Sequence, residues 1–538
     1  MKDIVKALQE LGPTISKICE VSANAGVSVG VLHHNEVIYP SGYGYRDISR
    51  KLRSDENTVY HLASLSKSFT ASAVGILLHE NKLVWDQPLS KILPSFIHEN
   101  TTIQSDATIL DFPSHQILLK PEDLFPTTSY LEVVHLLRST WLYNNWGFNL
   151  AAAVLEHLSG TTWGSFLADN LFRPLGLNRT YTKEVILDDN VAQGYMAARD
   201  GSSFPGGNPT IAEGIIMEGA NGVKSTVADL LTYYKSVIKS WKEELSSGSS
   251  ETDGLPFKDI RTLLTGHISL DPESDCEEFY GAGWAITQLP FPVGSIGING
   301  MFVEAMPVVG KGTAKRLLRY HNGSLVGFFS SIHILPDTDT AIVVLCNSLA
   351  KNDAADWIGQ LLLESILDTP EKNDYLDLAT KSAAAYDAMW DQVPVDLEKS
   401  KSSKTNGRPL SEYTGKFYNK VRKFFIEVEE VEGKLQFRFQ GLSSQVHHLQ
   451  YHNIDTFSWP LTEVESLHLG RWPDLDATMY IFYFQSSEDG KINGLRWEHD
   501  GDVPDGEVFL LRPVVQMVDQ TSMKPLPGII ADQNRDEL

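Results

Sequence analysis

The chain has 538 residues, of which 42% are hydrophobic and 21% charged, so there is ample apolar material for a large buried core. Its 69 acidic residues outnumber 45 basic ones and give a formal net charge of −24. A surface of this sign repels phosphate backbones and anionic lipid, so we expect neither nucleic acid nor a membrane as a partner.

The cysteines are too few for a disulfide framework, and Cys19, Cys276 and Cys346 form no CxxC metal or redox motif. Residues 1–21 mix charged and apolar residues as an amphipathic helix does, without the continuous apolar core of a signal peptide. No run of about 18 apolar residues occurs that could span a bilayer. We therefore expect a cytoplasmic protein. The 16 histidines contain no ligand cluster, so we expect no metal and no cofactor.

Beyond the first helix, strands at 27–32 and 36–39 are predicted from β-branched and apolar runs on either side of a His-His-Asn turn. The apolar spacing becomes helical from Ser66 to His79. Further predicted elements are helices at 130–139, 147–159, 163–171, 227–240 and 353–367, and strands at 326–335 and 340–346 around a turn at 336–339. The segment 243–256 is rich in turn formers and charge, which predicts a surface loop. This order predicts an α+β domain whose two ends meet in one sheet.

A change of composition marks the end of this domain. Residues 391–410 are polar, contain two prolines and have almost no apolar periodicity, which predicts a linker. Residues 411–515 are dense in short alternating stretches separated by turns such as Glu432-Gly433, which predicts a small all-β barrel or sandwich. The predicted division is a domain over 1–390, the linker, the β domain and a tail over 516–538.

The segment Ser64-Leu65-Ser66-Lys67 stands at the beginning of a predicted helix. A spacing of three places Ser64 and Lys67 on one helical face, about 5–6 Å apart at Cβ. A serine hydroxyl is a poor nucleophile until a base takes its proton, and burial can lower the pKa of a lysine enough for it to help as that base. The N–H groups and positive dipole at a helix start suit an anionic intermediate. By itself the pattern also fits a capping serine beside a solvated lysine.

The stretch from Asn57 to Ala71 around this pattern resembles the nucleophile segment of class C serine β-lactamases and related esterases. A second element, Tyr143-Asn144-Asn145, is similar to the Tyr-x-Asn motif of that family. A third, His321-Asn322-Gly323-Ser324, stands where the family has Lys/His-Thr-Gly on an edge strand. The three elements occur in the family's order, and the resemblance covers roughly residues 20–365.

The resemblance implies an α+β fold with a β-lactamase/transpeptidase-like antiparallel sheet flanked by helices. The C-terminal part resembles the lipocalin-like β domain appended to some peptidases and esterases of this type. By the resemblance, Ser64 would form the acyl-enzyme, and Lys67 and Tyr143 would share the general-base and general-acid roles. The nearby lysine ammonium would depress the pKa of the Tyr143 phenol. Asn145 would hold Lys67 and the acyl side of the substrate.

The same resemblance places the oxyanion hole at the backbone N–H groups of Ser64 and Ser324. Gly323 directly precedes Ser324 in this substrate-binding motif. His321 stands where the antibiotic-targeted enzymes commonly have lysine. Because histidine can be neutral at pH 7, we expect neutral esters, amides or thioesters to be favoured over substrates bearing a carboxylate, such as penicillins. Residues 111–117 lack the family's Ser-Gly, so we expect a rebuilt loop in the active-site wall.

Three functions stay open from the sequence. The leading one is a serine hydrolase or acyltransferase that acts through a Ser64 acyl-enzyme on an ester, thioester or amide, with a small natural product of secondary metabolism as a candidate substrate. The second is a D-amino-acid-selective peptidase or amidase, suggested by the appended β domain. The third is an inactive relative that serves as a binding or scaffold protein, favoured by the altered 111–117 loop. The expected partners are a small acyl substrate and, by analogy with the family, further copies of the chain in a homo-oligomer.

Overall fold

The computed structural model of the protein describes residues 2–107, 119–131, 135, 138–143, 145–206, 209–271, 277–402, 407–501, 503 and 505–511. Four subjects of the predictions above lie outside these described residues: Asn144, Cys276, the 111–117 loop and the 516–538 tail.

Helices occupy the middle of the chain and also flank the first and last strands of the large sheet. In the described residues they are α1 (Lys2–Glu10), α2 (Gly12–Val21), α3 (Ser66–His79), α4 (Leu89–Ile92), α5 (Thr101–Asp106), α6 (Leu124–Thr128), α7 (Trp146–Ser159), α8 (Trp163–Leu167), α9 (Arg173–Leu175), α10 (Glu218–Asn221), α11 (Val227–Ser247), α12 (Ile260–Leu263), α13 (Ala354–Ile366), α14 (Tyr375–Ser400) and α15 (Glu463–Leu469). The helix α3 has the predicted bounds, and α7 and α13 begin and end within one residue of theirs.

The strands fall into one set before α14 and one set after it. The first set is β1 (Gly26–His33), β2 (Glu36–Asp47), β3 (Leu52–Arg53), β4 (Tyr60–His61), β5 (Tyr195–Ala197), β6 (Ser203–Pro205), β7 (Lys224–Ser225), β8 (Ile268–Ser269), β9 (Glu278–Tyr280), β10 (Ala285–Leu289), β11 (Phe291–Pro292), β12 (Val308–Val309), β13 (Arg316–Leu325), β14 (Phe328–Leu335), β15 (Thr340–Cys346) and β16 (Ser348–Leu349). The second set is β17 (Gly415–Tyr418), β18 (Phe425–Val431), β19 (Lys434–Phe439), β20 (Val446–His448), β21 (Gln450–Asn453), β22 (Thr456–Ser458), β23 (Ile481–Ser486), β24 (Ile492–Trp497) and β25 (Glu507–Leu510).

The first set builds a nine-stranded sheet in the order β3-β2-β1-β15-β14-β13-β10-β9-β8. Its neighbouring strands are antiparallel, and β1 pairs with β15 through partners such as Val29 and Val344. The two ends of the domain therefore meet in one sheet, as the sequence predicts. Every residue of β1, β14 and β15 is buried, because helices cover both faces of the sheet at its centre.

One face of this sheet packs on α11 and the other on α13. The approach of α11 is close: a Cβ atom at Gly30 of β1 would lie 2.3 Å from Cγ1 of Val227. On the other face, the apolar core includes Ile342 and Val344 of β15 together with Trp357 of α13. Ser64, the nucleophile candidate, lies on the α11 side of the sheet. Only the thickness of the sheet therefore separates it from α13.

The second set of strands forms another nine-stranded sheet, in the order β20-β19-β18-β17-β25-β24-β23-β22-β21. Its edge strands β20 and β21 follow each other in the chain, so the sheet curls into a nearly closed barrel. The interior is filled with aromatic rings; Phe437, for example, contacts Trp459 and Phe482 with ring centroids 5.2 and 4.8 Å away. The predicted all-β domain is therefore present as a barrel-like sheet with a packed aromatic core.

The barrel contacts the first domain through several described residues, for example at Tyr130 and at Phe329. Tyr130 of the first domain accepts a hydrogen bond from Asn419 Nδ2 at 2.6 Å and donates one to Glu507 at 3.1 Å. Elsewhere, the ring of Trp472 packs edge-on against Phe329 of β14, with centroids 6.1 Å apart. The barrel is therefore docked on the first domain through polar and apolar contacts.

Some predicted boundaries are wrong. The predicted linker 391–410 is helical as far as Ser400, because Val393 and Leu397 are buried four residues apart and give α14 an apolar stripe that the polar composition hides. The helix α11 continues to Ser247, into the predicted loop 243–256. In the predicted helix 130–139, the described residues are not helical.

Two smaller findings concern the N-terminal segment and the cysteines. The amphipathic N-terminal segment is divided into α1 and α2 at Leu11, just before Pro13. Cys19 and Cys346 are buried free thiols. No helix among the described residues combines the length and the apolar character that crossing a bilayer would need.

Candidate active site

Ser64 lies on a tight turn between β4 and α3. The turn is a short 3₁₀ helix, Ala63–Leu65, and Ala63 adopts a left-handed φ of 49°, which is unusual for a residue other than glycine. Neighbouring strands hold the turn: Leu62 N donates to Val223 O at 3.0 Å, and Ser330 Oγ donates to Leu62 O at 2.7 Å. Such an over-determined turn fixes the direction of the Ser64 side chain.

The amine of Lys67 joins three side chains that are distant in the sequence. Its Nζ lies within hydrogen-bond distance of three groups: Ser64 Oγ at 2.9 Å, Tyr143 Oη at 3.0 Å and Asn145 Oδ1 at 2.7 Å. Tyr143 Oη in turn donates a short hydrogen bond to Ser64 Oγ. The hydroxyl, amine and phenol that the sequence analysis singled out therefore lie within proton-transfer distance of one another.

Burial decides the charge state of these groups. It lowers the pKa of Lys67 well below its ordinary value, and no carboxylate among the described residues contacts the amine to oppose this. Burial also raises the pKa of Tyr143 above its ordinary value, while the hydrogen bond with Ser64 lowers it only in part. The expectation of a depressed phenol pKa is thus wrong, because desolvation of the phenol outweighs its hydrogen bond with Ser64. The pair favours a neutral amine beside a neutral phenol.

The ring of His321 lies beside the ring of Tyr143. Its Nδ1 donates to the carbonyl of Asn322 at 2.5 Å, which leaves Nε2 unprotonated to accept a hydrogen bond from Tyr280 Oη at 2.9 Å. Burial lowers the pKa of His321 to about 3. The histidine is therefore neutral at pH 7, as the sequence analysis expects.

Aromatic rings lie around Tyr143 and His321. Trp141 lies with its ring centroid 5.3 Å from that of Tyr280 and 6.1 Å from that of Tyr143. The ring of His321 completes the group, 6.3 Å from Tyr143 and 5.9 Å from Tyr280. These four rings form an aromatic wall without a formal charge next to the nucleophile candidate.

The strand β13 presents a free backbone edge to Ser64. It pairs with β10 only as far as Tyr320, so in the described residues this edge is unpaired from His321 onward. Leu325 and Phe328 close a two-residue hairpin, and since hydrogen-bonded pairs alternate along an antiparallel ladder, Ser324 directs its N–H away from β14 and toward that edge. The edge also lies close to the nucleophile, because a Cβ at Gly323 would stand 3.1 Å from Ser64 N.

The sequence analysis missed one contact of the nucleophile. Asn221, the last residue of α10, is buried and accepts a hydrogen bond from Ser64 Oγ through Oδ1 at 3.3 Å. Asn221 lies outside the three motifs that carry the family resemblance, so no motif indicates it. The sequence analysis also assigns no role to Tyr280, because its contact with His321 depends on the pairing of β9, β10 and β13.

Comparison with known proteins agrees with this geometry. A protein-family model described as "Beta-lactamase" matches residues 15–364. A β-lactamase of Escherichia coli (strain K12) is 24% identical over 360 residues, which cover 63% of this chain and 89% of that protein. An unguisins hydrolase of Aspergillus campestris (strain IBT 28561) is 22% identical over 439 residues, covering 73% of this chain and 72% of that protein.

Two further proteins are similar to this chain. A D-aminopeptidase of Cereibacter sphaeroides is 22% identical over 363 residues, covering 65% of this chain and 61% of that protein. The solved structure of the octameric penicillin-binding protein homologue from Pyrococcus abyssi superimposes with a TM-score of 0.55 at 21% identity. It covers 93% of this chain and 99% of that chain, so the fold similarity includes the barrel.

Proposed function

Because the chain belongs to the β-lactamase family, whose members are serine hydrolases, we propose that it is an acyl-transfer enzyme with Ser64 as nucleophile. The observation that carries this proposal is the position of the buried Lys67 amine, in hydrogen-bond contact with Ser64, Tyr143 and Asn145. A serine becomes a nucleophile when a base of lowered pKa takes its proton, and a buried neutral amine is such a base. The substrate would be an ester, a thioester or an amide.

In acylation, Ser64 Oγ attacks the acyl carbon while its proton moves to the neutral amine of Lys67. The N–H groups of Ser64 and Ser324 stabilise the oxyanion that forms. When the intermediate collapses, Tyr143 gives its phenolic proton to the leaving group and regains one from the Lys67 ammonium. In deacylation, water or another acceptor attacks the acyl-enzyme and gives its proton to Tyr143, which passes one to Lys67. Lys67 then returns a proton to Ser64 Oγ as the acyl group leaves.

The uncharged surroundings support a neutral substrate. Tyr143 must lie next to the leaving group in order to protonate it. The rings of Trp141 and His321 lie 6.1 and 6.3 Å from that of Tyr143, and Tyr280 contacts both. Neutral rings offer stacking and apolar contact but no counter-ion for a carboxylate. We therefore infer that the leaving group is uncharged and apolar or aromatic. A small natural product of secondary metabolism fits this description, and the similarity to an unguisins hydrolase supports such a substrate class.

A D-amino-acid-selective peptidase or amidase is the second candidate. The similarity to a D-aminopeptidase supports it. A panel of D-aminoacyl amides, L-aminoacyl amides and short-chain neutral esters separates the candidates. Turnover of the D-aminoacyl amides alone would establish the second candidate in place of the first.

The central experiment labels the wild-type protein with a fluorophosphonate and with p-nitrophenyl acetate, and locates the adduct by intact-mass and peptide mass spectrometry. We expect one adduct, on Ser64, that is absent in Ser64→Ala. The matched control is Ser68→Ala, at a buried serine of α3 four residues farther along the chain, whose Oγ donates to Leu65 O. Equal labelling of Ser64→Ala and wild type would refute the proposal. Failure of every activated ester to acylate Ser64 would favour an inactive binding or scaffold protein.

Two lesser proposals concern the state of the protein in the cell. We propose a homo-oligomer, supported by the described octamer of the homologue from Pyrococcus abyssi. Light scattering coupled to size-exclusion chromatography tests it, and a mass of 59.9 kDa across concentrations would exclude it. A cytoplasmic location likewise remains a proposal, which cell fractionation tests.

A further inference from the structure

The strand that carries the site is tied to a buried polar network on its opposite face. Asn322 lies between His321 and Gly323, but its side chain points to the side of the sheet that α13 covers. Its Nδ2 donates to Asp353 Oδ2 at 3.3 Å, and its side chain is also close enough to Asp356 to influence the pKa of that carboxyl. One residue of the active-site strand is thus bound by one buried acidic side chain and lies next to a second.

The two carboxyl groups are built into the start of α13. Asp353 caps this helix, with Oδ1 accepting from Asp356 N at 3.0 Å. Asp356 Oδ2 accepts from Asn299 Nδ2 and from Gln360 Nε2, both at 3.0 Å. The exposed fractions of Asp353 and Asp356 are 1% and 0%. Two carboxyl groups therefore share a site that solvent does not reach.

This network contains fewer hydrogen-bond donors than its buried acceptor oxygens need. Both oxygens of Asp353 accept a hydrogen bond, and so does Oδ2 of Asp356. In contrast, Asp356 Oδ1, Asn322 Oδ1 and Gln360 Oε1 are buried and have no donor within the described part of the chain. Unpaired buried acceptors of this kind are costly, and a single proton on Asp356 Oδ1, donated to the Asn322 amide oxygen, would pair two of the three.

Among the described residues, no cationic side chain contacts the two carboxyl groups. Three described titratable groups face this network: Cys346 of β15, Tyr375 of α14 and His333 of β14. The His333 ring lies next to Gly359 of α13. None is cationic, since burial raises the pKa of the thiol and the phenol and lowers that of His333 to about 3. Two adjacent carboxylates without a counter-ion do not both ionise at neutral pH. Burial raises the pKa of both, and the charge of Asp356 raises that of Asp353 further.

We propose that Asp353 and Asp356 retain one proton between them, located on Asp356 Oδ1, and that this protonated pair grips the Asn322 amide and positions the segment from His321 to Ser324 against Ser64. Asp353 accepts from Asn322 Nδ2 while Asp356 donates to Asn322 Oδ1, so the amide is held at both ends. Asn322, Asp353 and Asp356 are then positioning residues of the acyl-transfer site. The inference rests on the proposed function only for its effect on activity.

The arrangement predicts opposite outcomes for two conservative substitutions. In Asp356→Asn, the new amide oxygen accepts from Asn299 and Gln360, and the new NH₂ donates to Asn322, so the protonated carboxyl is reproduced. In Asp353→Asn, an NH₂ group faces a donor, either Asp356 N or Asn322 Nδ2, whichever way the amide is turned. A protonated, positioning pair therefore tolerates the first change and not the second.

The experiment measures the rate of Ser64 acylation by p-nitrophenyl acetate from pH 5 to about 10, together with the unfolding free energy in urea over the same range. The variants are Asp356→Asn, Asp353→Asn and the matched control Asp374→Asn, an exposed aspartate that caps α14 as Asp353 caps α13. We expect Asp356→Asn and the control to stay within about threefold of wild type. Asp353→Asn should lower kcat about tenfold or more with little change in KM, because it displaces the Ser324 N–H rather than a substrate contact.

The pH dependence gives a readout that packing alone would not change. Because the folded pair binds its proton more tightly than the unfolded chain, its contribution to wild-type stability is full below the ordinary aspartate pKa of about 3.9 and is lost as pH rises through the folded pKa. Asp356→Asn has no such proton, so its stability relative to wild type should increase with pH. This measurement stands even if Asp353→Asn does not fold.

The remaining outcomes also decide the question. Equal loss of activity in both variants would indicate an ionised pair or a bound cation and overturn the proposal. Equal tolerance, or a constant stability difference between Asp356→Asn and wild type, would overturn it as well. If wild type shows no Ser64-dependent acylation, the proposed function fails, while the urea experiment still tests the shared proton.

Discussion

Gly323 and Ser64 approach each other so closely that a side chain at position 323 has no space. A Cβ atom there would lie 3.1 Å from Ser64 N, 2.6 Å from Leu62 O and 2.3 Å from Ser330 Oγ. The glycine thus lets the free edge of β13 lie against the turn that carries the nucleophile candidate. The closeness of this contact is the basis of the first prediction.

Gly323→Ala should lower the acylation rate by about a hundredfold, because the strand must move away from Ser64 and take the Ser324 N–H with it. The measurement is the acylation burst with an activated ester, accompanied by a urea denaturation curve. Gly501→Ala serves as the control, since a Cβ at Gly501 meets nothing within 4 Å. Full activity in Gly323→Ala would remove β13 from the proposed oxyanion hole.

The proposed base predicts a pH profile. Burial lowers the pKa of Lys67, and the amine accepts a proton only in its neutral form, so acylation should increase as pH rises through that lowered pKa and level off above it. Lys67→Arg, which stays protonated, should acylate about a thousandfold more slowly across the range. Lys82→Arg, at a lysine that is half exposed, is the control. A Lys67→Arg enzyme that retains the wild-type profile would assign the base elsewhere.

His321 predicts a change in selectivity. Acetate esters of 3-hydroxybenzamide and 3-hydroxybenzoate differ by one charge on the leaving group, and wild type should favour the neutral one. His321→Lys places a cation beside Tyr143 and should shift the ratio of kcat/KM toward the carboxylate by about tenfold. An unchanged ratio would show that this end of the site does not contact the leaving group.

Tyr130 predicts the strength of one contact between the barrel and the first domain. Tyr130→Phe removes the hydroxyl that bonds Asn419 and Glu507, which should lower the unfolding free energy by about 1–3 kcal/mol. Urea denaturation measures the loss, and limited proteolysis between α14 and β17 should become faster. Tyr418→Phe is the control, since its hydroxyl has no hydrogen bond among the described residues. A loss of the same size in Tyr418→Phe would indicate a general effect of the missing hydroxyl.

Local patterns were enough to predict much of this architecture. The helix α3 was predicted with its bounds because apolar residues recur at helical spacing within 14 residues, and β15 was predicted because a β-branched run begins directly after a turn. The helical part of the predicted linker was missed, since the two apolar residues that anchor α14 there are hidden among polar ones. Segment boundaries depend on what each residue packs against, which a local pattern does not contain.

The sequence by itself predicted that Ser64 and Lys67 lie close together, because their spacing of three residues at the start of a helix sets their distance. Motif resemblance added Tyr143, Asn145 and the strand from His321 to Ser324. Only the tertiary structure decided that Asn221 contacts the nucleophile, that Tyr280 donates to His321, and that Asp353 and Asp356 lie behind Asn322. It also reversed the expected pKa shift of Tyr143. These contacts and shifts arise from burial and from side chains brought together across the sheet, and such long-range proximity leaves no periodicity in the chain.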